Sequence, residues 1–71
     1  MKRQPLRSSV LAAAAYDSAT AVLELEFTSG DIYRYFAVPP SVFKALVDDD
    51  SPGAYFNKNI SEKYPTRQQY E

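Results

Sequence analysis

The chain has 71 residues, a net charge of −1, and neither cysteine nor histidine. This excludes disulfides, thiolate nucleophiles, imidazole bases and zinc or iron centres built on those ligands; no metal or cofactor is expected, and there is no global electrostatic pull on nucleic acid. A chain this short makes one domain, near the lower limit for a core that folds without staples, and no apolar run approaches the roughly 20 residues needed to cross a bilayer.

Residues 1–7 carry Lys2, Arg3 and Arg7 without periodicity and read as a flexible basic arm. They resemble a signal n-region, but Val10 to Ala15 is too short and weak for the apolar segment that would follow, so a mature, soluble, cytoplasmic chain is expected. Ser8 to Asp17 contains the best helix-forming run, Ala12 to Ala15. Its brevity, the flanking Val10 and Tyr16, and the need of the next hairpin for a third strand favour a strand instead. Asp17 to Thr20 is a turn.

The next stretch organises the rest. Leu23, Leu25 and Phe27 alternate with Glu24 and Glu26, the period of a half-buried strand, and after Thr28-Ser29-Gly30-Asp31 comes Ile32-Tyr33-Arg34-Tyr35-Phe36. A two-residue turn would put Arg34 among the leucines. A three-residue loop, with Gly30 available for a positive φ, groups Tyr33 and Tyr35 with the leucines and sets Arg34 against Glu24 or Glu26. Burying an unpaired arginine costs several kcal/mol, whereas an exposed cross-strand ion pair contributes roughly 0.2–1 kcal/mol, so the odd loop is expected.

Pro39 and Pro40 end the sheet, and Val42, Phe43, Leu46 and Val47 line one face of a first helix. Ser51-Pro52 starts a second, with Ser51 as a hydroxyl cap and the Asp48-Asp49-Asp50 acids close to its dipole. Phe56 and Ile60, with Tyr55 and Tyr64, turn toward the sheet or the first helix, Gly53 permits close packing, and Pro65 stops the chain's last helix. The expected fold is a single α+β domain of order β-β-β-α-α: a three-stranded antiparallel sheet followed by two helices on one face, then a tail over residues 67–71.

Ser9, Tyr16-Asp17, Leu23-x-Leu-x-Phe27, Gly30, Tyr33-Arg34-Tyr35, Val38-Pro39, Ser51-x-Gly53, Tyr55-Phe56-Asn57, Ile60 and Tyr64-Pro65, taken in order, resemble the KTSC domain. This is a small bacterial and phage module with a central Tyr-x-Tyr, also found at the C-terminus of some lysyl-tRNA synthetases. The likeness spans residues 8–66. Ser61 follows Ile60 where the family pattern often has a basic residue. The resemblance implies no established activity; the synthetase context implies RNA, tRNA or another structured RNA, as a partner.

The residues themselves offer a phosphate-contacting patch of Lys58, Lys63 and Arg67 with Tyr64 or Tyr70 beside it, Arg34 assisting from the sheet, and Arg3 and Arg7 joining if the termini converge. Tyr33 and Tyr35 could stack bases, but their parity with the leucines marks them as core. Asp48-Asp49-Asp50 point in different directions and do not converge on a metal, and Ser51 and Ser61 have no base to activate them. Asn57 is expected to satisfy backbone groups where helices and sheet meet. The expectation is a non-catalytic binding module for RNA. The alternative is a protein-interaction domain using an exposed sheet face or edge, and a carboxylate-dependent enzyme is the outsider.

Overall fold

A computed structural model of the chain describes residues 2–70. Its elements run β1 (Gln4–Pro5), β2 (Leu11–Asp17), β3 (Val22–Phe27), β4 (Ile32–Tyr35), α1 (Pro40–Asp48), α2 (Pro52–Asn59) and β5 (Thr66–Gln69). The hairpin takes the register that its charges favour: Leu23 opposes Tyr35, Glu24 opposes Arg34 and Leu25 opposes Tyr33. Its loop is Thr28-Ser29-Gly30, closed by Phe27 N–H to the Asp31 carbonyl and Gly30 N–H to the Phe27 carbonyl, both 2.9 Å, with Gly30 at φ +97°. The arginine therefore leaves the apolar face.

The expected three-stranded sheet is corrected to five strands, in the order β1-β2-β3-β4-β5, each antiparallel to its neighbours. The two additional strands come from the expected arm and, Thr66 apart, from the expected tail. Gln4–Pro5 pairs with Ala13 and Ala14 of β2, and Thr66–Gln69 pairs with the whole of β4. Neither has an apolar alternation, because each is joined through its main chain at a sheet edge and does not need one. Met1 and Glu71, the outermost residues of those expected segments, lie outside the described residues.

β2 departs from strict alternation. A bulge between Leu11 and Ala13 shifts the register, so that Leu11 opposes Phe27 while Ala14 opposes Leu25. Residues three apart thereby turn to the same side and both become buried. On that side Leu11, Ala14, Leu23, Leu25 and Tyr35 form the core with Val38, Leu46, Phe56 and Ile60. α2 seats Phe56 edge-on against Phe27 and Tyr35, at centroid distances of 5.4 and 5.7 Å, and α1 stacks Phe43 on Tyr16 at 5.2 Å. Tyr16 also donates its hydroxyl to the Val38 carbonyl at 2.6 Å, tying β2 to the connection that leads into α1.

Two local expectations change. Ser51 occupies the N-cap position of α2, but its hydroxyl makes no cap bond; instead the Asp49 carboxylate accepts from Ser51 N–H at 2.8 Å. No acid lies in the first turn of α2. Asn57 is exposed at the rim of a groove beside Ser8 and Gly53, and it is Asn59 whose amide donates to a backbone carbonyl, that of Tyr55, at 3.2 Å. Among the described residues, no helix is long and apolar enough to cross a membrane.

Candidate nucleic-acid interface

With both helices on one side, the sheet's other face is left to the residues of opposite parity. Successive pairings draw one transverse row across it: Ala15 opposes Glu24, Glu24 opposes Arg34, and Arg34 opposes Arg67. Arg3, just before β1, reaches the same row from the far edge. Its Nε donates to Glu24 Oε2 at 2.9 Å and its Nη1 to Glu26 Oε1 at 3.2 Å. Arg34 Nε donates to Glu24 Oε1 at 3.0 Å.

Glu24 was expected in an exposed cross-strand ion pair; it is instead 6% exposed, the one buried charged residue among those described. A carboxylate there is tenable because each of its oxygens receives an arginine. Burial pushes its carboxyl up, but the hydrogen bonds from Arg34 and Arg3, with their charges, outweigh burial and hold it below the ordinary glutamate value.

At the positive end of the row the compensation is partial, since Glu24 engages Arg34 but not Arg67. Arg34 and Arg67 are directly opposite on neighbouring strands, and Arg67 makes no ion pair among the described residues. Like charges so placed destabilise a sheet. Beside Arg34 a shallow recess of about 400 Å³ is lined by Asp17, Thr20 and Val22.

Of the expected RNA contacts, the structure thus brings Arg34 and Arg67 together. Lys58 is exposed on α2, on the helical side of the sheet, and Lys63 is exposed in the turn that follows, where its N–H donates to the Ile60 carbonyl at 3.0 Å. Tyr64 is half-buried against the core, as are Tyr33 and Tyr55, and Tyr35 is buried. None of these four rings shares the face with Arg34 and Arg67. Gly53 is buried, and a Cβ there would come within 3.1 Å of Ser8 Oγ. What the sequence pattern did not foresee was the contact of Arg3 with Glu24 and the burial of Glu24: the first depends on β1, which has no periodic signal, and the second on Arg3.

Residues 7–64 match the family model of the KTSC domain. The chain belongs to the KTSC family. The fold agrees: a crystal structure of a KTSC domain protein from Yersinia pestis superposes with a TM-score of 0.94 at 29% identity, over 97% of each chain. An uncharacterised protein of Stutzerimonas stutzeri is 52% identical over 58 residues, 82% of each chain. A lysine–tRNA ligase of Nostoc punctiforme is 43% identical over 60 residues, 84% of this chain and 11% of the ligase. The KTSC domain therefore occurs both in a short protein and within a much longer synthetase.

Proposed function

We propose that this KTSC domain is a non-catalytic, cytoplasmic RNA-binding module, and that it holds phosphates across the open face of the sheet with Arg34 and Arg67, extended by Arg3. The observation that carries the proposal is the Arg34–Arg67 pair: two exposed arginines directly opposite one another with one carboxylate partner among the described residues, Glu24 on Arg34, so that a further anion is favoured between them. The similarity to lysine–tRNA ligases supports RNA as the source of that anion. With the tyrosines turned into the core, recognition runs through the backbone and the fork of each guanidinium, not through stacked bases. A protein partner at the sheet face has less support, since the large hydrophobics exposed among the described residues are Val10 and Tyr70 alone.

Anisotropy titrations with a fluorescent single-stranded RNA and with folded tRNA test the proposal. Three phosphate contacts predict a log–log salt slope of roughly −2, or about twentyfold weaker binding between 50 and 200 mM salt. Arg67→Ala should flatten that slope by about 0.7 and weaken every sequence alike. Absence of binding at the lowest salt would overturn the proposal, and a protein partner at an open edge would then be sought.

A further inference from the structure

Glu24 presents a contradiction on the proposed interface. It is a carboxylate in the middle of a face meant for phosphate, and simple electrostatics says that removing it should help. Its geometry says otherwise. Each oxygen is engaged by the Nε of a different arginine, Oε1 by Arg34 at 3.0 Å and Oε2 by Arg3 at 2.9 Å. A guanidinium is a rigid planar fork, so fixing Nε fixes the direction of its terminal amino groups. Those of Arg34 make no hydrogen bond among the described residues, and its side chain is 45% exposed. Glu24 is itself held in place by its position at the centre of β3 and by its burial.

We propose, resting on the reading of this face as an RNA interface, that Glu24 is a positioning residue which strengthens phosphate binding by holding the Arg34 fork in a single orientation toward the ligand. The ordering of a long side chain is then met during folding and not on binding. An arginine released from that constraint must be immobilised by the ligand, which weakens binding roughly three- to tenfold per side chain. The charge of Glu24, already shared between two guanidinium groups, opposes phosphate less than the loss of orientation does.

The test turns on a sign. Glu24→Gln and Glu26→Gln each remove one negative charge from the same face, but only Glu24 contacts Arg34. Arg3, which Glu26 meets through Nη1, stays anchored by its Nε bond to Glu24 when Glu26 is changed. With the full chain and a single-stranded RNA probe at fixed salt, Glu26→Gln should leave affinity unchanged or raise it, whereas Glu24→Gln should lower it roughly three- to tenfold. Glu24→Asp keeps the charge but shortens the reach and should also weaken binding; it decides the matter if Glu24→Gln fails to fold, as judged by circular dichroism. In an Arg34→Ala background, Glu24→Gln should weaken binding less than it does in the parent chain, because only Arg3 is then left to be released, a non-additivity that a general loss of structure would not give. Glu24→Gln binding as tightly as Glu26→Gln, or Glu24→Asp binding like the parent chain, would overturn this role for Glu24, and RNA binding itself would stand if Arg67→Ala still weakened it. A parent chain that binds no RNA would overturn both.

Discussion

Tyr35 sits 5% exposed beneath Phe56, its ring opposite Leu23 across the hairpin. Burial, with the neighbouring Tyr33 adding to it, pushes its phenol up to about 12 from an ordinary value of 10.0. An unfolded chain gives up this proton near pH 10 while the folded chain keeps it, so the stabilisation is complete below pH 10 and fades as pH rises toward 12. Thermal unfolding followed between pH 9 and 12 should show Tyr35→Phe losing less stability with pH than the parent chain. An unchanged pH dependence would remove Tyr35 as its source. At this scale the sequence was a good guide wherever parity decided the matter: Arg34 had to leave the leucine face, and the tyrosines had to join it. It was a poor guide to Glu24, because burial of a carboxylate depends on two arginines, one of them more than twenty positions away in a segment without any pattern.

Close approach decides the placement of α2. Gly53 is buried in its first turn, where a Cβ would lie 3.1 Å from Ser8 Oγ and 3.6 Å from Val10 Cβ. Alanine is ordinarily preferred to glycine in a helix by about 1 kcal/mol. Here the Ser8 hydroxyl cannot simply rotate aside, since it accepts from the N–H groups of Val10 and Leu11 at 3.0 and 3.2 Å. Gly53→Ala should therefore lower the melting temperature by a few degrees, on the order of 1 kcal/mol. In a Ser8→Ala background the same substitution should raise it; the same sign in both backgrounds would contradict the steric account. The need for a small residue at 53 was legible in the sequence, but the partner that imposes it was not. The start of α2 was also legible from Ser51-Pro52, although the bond that secures it comes from Asp49 and not from the serine hydroxyl. Proline position is a backbone matter and survives without tertiary detail, whereas the choice between two nearby oxygen acceptors does not.

For the molecule as a whole, the edges escaped the sequence. β1 and β5 complete the sheet with Gln4–Pro5 and Thr66–Gln69, residues that, Thr66 apart, have little strand preference and that contribute little to the apolar core. They were invisible because a main-chain ladder along an existing edge needs no side-chain signature. They are also what makes the face functional in the proposed sense, since Arg3 and Arg67 arrive with them.

The strands stand in the sheet in their order along the chain, and this sets a schedule for assembly. β3 and β4 are joined by a loop of residues 28–30, whereas residues 36–65 must be arranged before β5 can meet β4. A connection about tenfold longer costs about 2 kcal/mol more in closure entropy. The central hairpin should thus be formed in the rate-limiting ensemble, and β5 should dock after it. Stopped-flow kinetics would reveal this as an asymmetry: Gly30→Ala, which strains the hairpin loop, should chiefly slow folding, while Gln68→Gly in β5 should chiefly hasten unfolding. The reverse pattern would mean that the edge nucleates the sheet. On the expected schedule Arg67 is the last of the three arginines to arrive, so a chain that has folded through everything but its final strand would already be compact yet hold only part of its cationic row.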